Sequence, residues 1–169
     1  VVSKEKSIVY HPEYKGVRLD IYAEDENHTH YNVEMQVKKK TALGKRSRYY
    51  HSQMVMEALA SGEDYETMPD TFVIFVCDFD PFGEHLYCYT FGNECRENKN
   101  AKLDDGSYTI FLSTKGENEE EVPVELVRFL KFVTADLEES EEDFQDKLVN
   151  GSRRPFTTSK QTVRWESAI

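Results

Sequence analysis

VRLDIYAEDENHTHYNVEMQV, residues 17–37, contains two runs in which apolar and polar side chains alternate. A period of two predicts β-strands whose apolar side chains point towards a core. The segment between the runs, residues 24–30, has no apolar residue, so the whole stretch predicts a β-hairpin. In the second run, Glu34 and Gln36 are left on the face opposite the core. The apolar positions expected to face the core are Val17, Leu19 and Ile21, then Val33, Met35 and Val37.

The polar face of this hairpin brings two carboxylates together. A loop symmetric about Asn27 pairs Asp20 directly with Glu34, whose Cβ atoms would then lie ~5 Å apart. Two ionised carboxylates at that distance repel by roughly 3 kcal/mol at an effective dielectric near 20. A purely structural hairpin gains nothing from this repulsion, whereas a divalent cation such as Mg²⁺ converts it into coordination. From spacing alone, the alternative is an ordinary solvated strand face.

The remaining elements follow from periodicity and from turn residues. A stripe containing Tyr50 and Met54 at helical spacing predicts a helix over residues 43–61, with Gly62 as the residue after its end. Pro123 suits the first turn of a later helix. The other predicted elements are a buried strand over 72–77, strands over 85–91 and 107–113, and an acidic helix from about 137 to 149.

Composition limits the class of protein. The chain has 169 residues, enough for one domain of ordinary size, and its longest apolar run, 72–77, is far too short for a membrane helix. Three cysteines do not suit a secreted disulfide scaffold, so we expect a reducing, cytoplasmic compartment. A net charge of −11 argues against a generic basic nucleic-acid coat protein. Residues 38–48, however, contain six basic residues and no acid.

Several ordered motifs resemble one protein family. They are GVRLDIYAED at 16–25, VEMQ at 33–36, KRSRYY at 45–50, GEDY at 62–65, CDFDPFG at 77–83, LDDG at 103–106 and TKG at 114–116. Together they are similar to the PD-(D/E)xK nuclease superfamily, and within it to the branch of recombination-promoting nucleases and transposases. The likeness spans about residues 10–135. It implies a restriction-endonuclease-like α/β fold, a mixed sheet flanked by helices. On this basis 1–136 form the nuclease-like core and 137–169 a helical or irregular extension, and we expect the superfamily's first core helix to be missing.

The resemblance implies roles for individual residues. Asp20 and Glu34 would be metal ligands, joined by the carbonyl of Met35, with Mg²⁺ or Mn²⁺ as the cofactor. Gln36 stands where the wider superfamily keeps a lysine, so it cannot supply that positive charge and would instead orient a water molecule. Lys38 lies two residues further on and is expected to share the face of Glu34 and supply the missing cation.

The basic segment has two interpretations. The residues alone equally allow an ordinary solvated loop, but the resemblance favours contacts with the phosphate backbone of DNA. The residues expected to make these contacts are Lys38, Lys39, Lys40, Lys45, Arg46 and Arg48. Further along, Asp78 and Asp80 could be read as metal ligands, but the Pro81-Phe82-Gly83 that follows favours a turn at the end of a strand.

These observations support two hypotheses about function. The first is a metal-dependent DNA endonuclease of the transposase-associated type, which holds phosphates rather than reading bases and therefore has low sequence specificity. The second is a nuclease-derived module that binds DNA or a protein partner without catalysis. No membrane partner is expected. The sequence does not fix the oligomeric state, and it is compatible with a dimer.

Overall fold

The computed structural model describes residues 2–8 and 17–134. In these ranges six strands form a single sheet, accompanied by two α-helices. The predicted acidic helix near 137–149 and the predicted extension lie outside the described residues. The strands are β1 (Val2–Ile8), β2 (Val17–Glu24), β3 (His30–Gln36), β4 (Thr71–Cys77), β5 (Cys88–Phe91) and β6 (Ser107–Ser113), and the helices are α1 (Leu43–Ala58) and α2 (Val124–Thr134).

The sheet is mixed, with the strand order β1-β2-β3-β4-β6-β5. The first three strands form an antiparallel meander, β3, β4 and β6 run parallel, and β5 is antiparallel to β6. A parallel pair such as β3 and β4 cannot be joined by a tight turn, and α1 supplies the crossover between them. The prediction of a mixed α/β fold is confirmed.

The central strand β4 is apolar on both sides because a helix packs on each face of the sheet. Val73 and Phe75 pack in one cluster with Met54 of α1. Ile74 and Val76 pack in a second cluster with Val127 and Leu130 of α2. We call these two sides the α1 face and the α2 face. Burial on both sides explains why β4 is a continuous apolar run instead of an alternating one.

The predicted register of the hairpin is confirmed, and Leu19 of β2 is buried in the core as predicted, but the buried side of β3 is the opposite of the predicted one. Ile21 pairs with Val33 and Glu24 with His30, so the loop is symmetric about Asn27. However, Met35 is 43 % exposed and Val37 71 % exposed. The buried residues of β3 are the polar ones, His30, Asn32, Glu34 and Gln36. They lie on the α1 face, where α1 contributes direct partners to Glu34.

Other element boundaries differ from the predictions. α1 ends at Ala58 because Leu59 is already extended, so Gly62 does not follow the end of that helix. β5 begins at Cys88, three residues later than predicted. β1 was not predicted, since its only apolar residues are Val2 and Ile8 at its two ends. The position of β1 is set by backbone hydrogen bonds to β2, and pairing of this kind leaves no pattern in the side chains. Within 2–8 and 17–134, no helix is long and apolar enough to cross a membrane.

Gly116 provides a test of the packing around β5. A Cβ atom built at this position would lie 2.5 Å from the backbone nitrogen of Tyr87, which directly precedes β5 and cannot move away without disturbing that strand. We therefore expect Gly116→Ala to lower the free energy of unfolding by about 2 kcal/mol. The matched control is Gly44→Ala in α1, where a Cβ meets nothing within 4 Å, and this variant should unfold at or above the wild-type denaturant concentration. Equal stability of both variants would contradict this packing.

Candidate active site

The Glu34 carboxylate lies at the centre of the α1 face. The residue pairs with Phe75 of β4 and has no exposed surface. Burial raises the pKa of Glu34, and the negative charge of Asp20 raises it further, while the guanidinium of Arg46 acts in the opposite direction. A carboxyl group whose charge is opposed both by burial and by a second carboxylate is typical of a functional site.

Two residues one turn apart on α1 hold this carboxylate. The Nη2 atom of Arg46 donates to Oε2 of Glu34 at 2.6 Å, and the Tyr50 hydroxyl donates to the same oxygen at 3.3 Å. Arg46 also donates through Nε to the Tyr50 hydroxyl. Burial, and then the charge of Glu34, raise the pKa of Tyr50, so its hydroxyl stays a donor at neutral pH. Together these three side chains form an ionic and hydrogen-bonded cluster between β3 and α1.

Asp20 lies beside Glu34, as the hairpin register requires. The backbone N–H of Asp20 donates to Oε1 of Glu34 at 3.3 Å, and Oδ2 of Asp20 accepts from the backbone N–H of Met35, also at 3.3 Å. Each carboxylate therefore binds the backbone of the opposite strand where the two strands would otherwise pair. Asp20 is partly exposed, so the carboxylate pair is reached from solvent through Asp20.

Two amide side chains complete a row of oxygens along β3. Among the described residues, Asn32 Oδ1 and Gln36 Oε1 are buried side-chain oxygens without a hydrogen-bond partner. Asn32 and Gln36 flank Glu34 on the α1 face, and Asn32 donates through Nδ2 to Glu34 Oε1 at 3.4 Å. A buried polar atom without a partner costs free energy that a ligand can recover.

This set of donors fits a hard divalent cation. It combines the carboxylates of Asp20 and Glu34 with partnerless amide oxygens, and oxygen is the ligand atom that Mg²⁺ prefers. A site of this kind uses one or two carboxylates and completes its coordination with water and phosphate. In ranges 2–8 and 17–134, no cluster of three or more His, Cys, Asp or Glu side chains could hold a metal by itself.

The structure distributes the predicted cations over two environments. Arg46 is bonded to Glu34 and only a third of its side chain is exposed. β3 ends at Gln36, so strand alternation does not extend to Lys38, which is exposed beyond it. The other predicted phosphate-binding residues are exposed around the start of α1, namely Lys39, Lys40, Lys45 and Arg48. The cation that directly meets Glu34 is therefore Arg46 from the helix.

Sequence reasoning missed two parts of this cluster. Asn32 carries no motif of its own, and the position of Tyr50 on the apolar stripe of α1 predicts core packing, not a hydrogen bond to Glu34. A signal was present in the spacing of Arg46 and Tyr50, since residues four apart share one face of a helix. That spacing shows that the two side chains can act together, but not which strand residue they meet.

A comparison with protein families is consistent with the mixed α/β fold. Residues 2–153 match the family model of PD-(D/E)XK nuclease family transposases. The chain belongs to that family. No curated protein and no solved structure matches the chain.

The raised pKa of Glu34 predicts that its charge opposes folding. Because the pKa of Glu34 in the folded state lies above the unfolded value of about 4.3, the native state binds the proton more tightly. The stability gained from this proton is complete below about pH 4.3 and is lost as the pH rises from there through the folded-state pKa. We expect Glu34→Gln to be as stable as the wild type at pH 4 and about 1 kcal/mol more stable at pH 7. Urea unfolding at both pH values measures the difference. A marked loss of stability at pH 7 would instead make the carboxylate a structural group.

Proposed function

We propose that this chain is a metal-dependent DNA endonuclease with low sequence specificity, built on a restriction-endonuclease-like core. The observation that carries the proposal is the buried Glu34 carboxylate beside Asp20, flanked by amide oxygens that lack partners. The second carboxylate and the partnerless amide oxygens are costly for a purely structural sheet, whereas a bound cation would satisfy those oxygens and offset the repulsion between Asp20 and Glu34. Membership of a nuclease family and the order of the strands support the same function.

In this proposal Asp20, Glu34 and Gln36 provide side-chain oxygens to Mg²⁺ or Mn²⁺, and the Met35 carbonyl is a further ligand. When bound, the metal would activate a water molecule and neutralise charge on the scissile phosphate. Gln36 can orient that water through its amide group, but it carries no positive charge.

Arg46 is the residue that we propose supplies the missing positive charge. Its guanidinium already lies at Glu34, and a planar guanidinium can bind a phosphate through two parallel hydrogen bonds. Lys38, Lys39, Lys40, Lys45 and Arg48 would hold the neighbouring phosphates. Contacts of this kind fix the position of the strand without reading its bases, which is the reason for low sequence specificity.

A second candidate function is binding of DNA or a protein partner without catalysis. The specific observation in its favour is the ion pair of Arg46 with Glu34, because the guanidinium already neutralises the carboxylate that would bind the metal. The two functions differ in one measurable property. A binding module shows salt-dependent affinity for DNA but does not cleave it, whichever divalent metal is added.

A plasmid-nicking assay with Mg²⁺ or Mn²⁺ tests the endonuclease. We expect Asp20→Asn and Glu34→Gln each to slow cleavage at least about 100-fold, since a metal contributes several kcal/mol to the transition state. The matched control is Glu26→Gln, an exposed acid in the loop of the same hairpin, which should cleave at the wild-type rate. Cleavage that survives both site substitutions would exclude this site, and absence of cleavage by the wild-type chain would favour the binding module.

Arg46→Gln tests the role of the arginine. Because Arg46 and the metal share the Glu34 carboxylate, we expect this variant to reach half-maximal cleavage at a lower Mg²⁺ concentration. Its maximal rate should nevertheless fall roughly 100-fold, as is typical when a charge-stabilising donor is removed. Titration of Mg²⁺ at saturating DNA measures both quantities.

The matched control for this variant is Arg48→Gln, an exposed cation on the same helix. It should weaken binding of DNA in a salt-dependent way and leave the Mg²⁺ requirement unchanged. The same Mg²⁺ requirement in Arg46→Gln and in the wild type would show that Arg46 does not share Glu34 with the metal.

A further inference from the structure

A cavity of about 440 Å³ opens between the start of α1 and the loop that follows β4. This volume lies within the range of small-molecule sites, which run from roughly 300 to 1,000 Å³. Its aromatic wall is formed by Phe82, Phe91 and the buried Phe111, whose rings lie 5.0–5.8 Å apart. Phe82 is 44 % and Phe91 46 % exposed, so two large aromatic rings remain accessible to solvent.

The loop of residues 78–85 holds Phe82 in this position. The Asp80 carboxylate accepts hydrogen bonds from the backbone N–H groups of Phe82, Gly83 and His85 and from the Tyr89 hydroxyl, at 2.8–3.0 Å. Burial opposes ionisation of Asp80, but these bonds outweigh it and lower its pKa to about 2. The ring of Phe82 is therefore positioned before any ligand arrives, which reduces the entropy lost on binding.

The charge around the cavity differs from that of the whole chain. The protein has 32 acidic residues against 21 basic ones, yet among the residues that the structure describes, those that line the cavity include Lys39 and Lys40 and no acid. Aromatic faces beside ammonium groups suit a ligand that is flat at one end and anionic at the other. A nucleotide has this chemistry, because its base stacks on aromatic rings and its phosphate binds lysine.

We propose that this cavity binds one unpaired base of a DNA strand, stacked on Phe82 and Phe91, with the adjoining phosphate on Lys39 and Lys40. In a continuous duplex the bases are already stacked on one another, so the cavity selects single-stranded DNA.

This inference rests on the proposed function. Helix α1 connects the cavity with the carboxylate pair of Asp20 and Glu34. Leu43 and Gly44 in the first turn of α1 line the cavity, and Arg46, less than one turn further on, bonds to Glu34. One turn of helix is about 5.4 Å long. A base held in the cavity would thus bring its own strand, instead of a distant one, to the carboxylate pair.

The experiment uses the full chain in EDTA, so that binding is read without cleavage. The probes are an oligo-dT strand that contains one 2-aminopurine and carries a fluorescein label, and the blunt duplex of the same sequence. We expect the wild type to quench 2-aminopurine fluorescence in the single strand by stacking. Phe82→Leu should lose this quenching and bind the single strand about tenfold more weakly, with unchanged affinity for the duplex.

Two further variants keep the test decisive. Tyr65→Leu is the matched control, since Tyr65 is 79 % exposed and does not line the cavity, and it should behave as the wild type. The double variant Lys39→Gln with Lys40→Gln changes only exposed residues, so it remains informative if Phe82→Leu does not fold. It should bind the single strand more weakly and reduce the magnitude of the slope of log affinity against log salt by about 1.4.

Three outcomes would overturn the proposal. The first is unchanged quenching and affinity in Phe82→Leu, and the second is an equal loss of affinity for single strand and duplex. The third is a wild-type dimer that Phe82→Leu dissociates in sedimentation, which would make the cavity an interface between two copies. Failure of the endonuclease is distinguishable from these, because Asp20→Asn would then leave cleavage unchanged while stacking in EDTA persists.

Discussion

The burial of one negative charge governs the arrangement of the α1 face. Glu34 has no exposed surface, and its carboxylate lies in the same layer as Phe75 and Phe111. An isolated charge in such surroundings is too costly to keep, so each oxygen of Glu34 has donors within reach. The guanidinium of Arg46 and the hydroxyl of Tyr50 come from α1, and the amides of Asp20 and Asn32 come from β2 and β3. The position of α1 over β3 and the form of the hairpin both satisfy this requirement.

The two faces of the sheet differ in polarity. On the α2 face Ile74, Val76 and Ile110 pack with Leu130 in an apolar cluster that needs no polar partner. On the α1 face the polar row along β3 interrupts the core, and part of that row stays unsatisfied. Buried polar atoms without partners lower the stability of a protein, and they are found where function requires them. The apolar packing of the other face offsets this cost. The contrast between the two faces is what makes the α1 face the candidate site.

Basic residues are also unevenly distributed along the chain. A chain with a net charge of −11 would repel DNA if its charges were evenly spread, yet residues 38–48 contain only basic charges. The exposed lysines near the start of α1 are separated along the chain from the acidic residues that follow residue 116, and the aromatic cavity lies beside them. Local charge decides which phosphates can approach, since ionic interactions beyond roughly 8–10 Å are screened at physiological salt. The net charge of the chain therefore does not describe the local charge of residues 38–48.

The sequence by itself determined the features that depend on neighbours along the chain. Alternation and a symmetric loop specified the register that places Asp20 opposite Glu34, and periodicity located β4, β6 and both helices to within a few residues. Tertiary structure alone decided which side of β3 is buried, because burial depends on where α1 packs, and alternation treats any polar position as exposed. It also decided that Arg46 meets Glu34, and that Phe82, Phe91 and Phe111 form one wall. These contacts join residues far apart in the chain, and their energy comes from desolvation and packing in three dimensions, which no local pattern encodes.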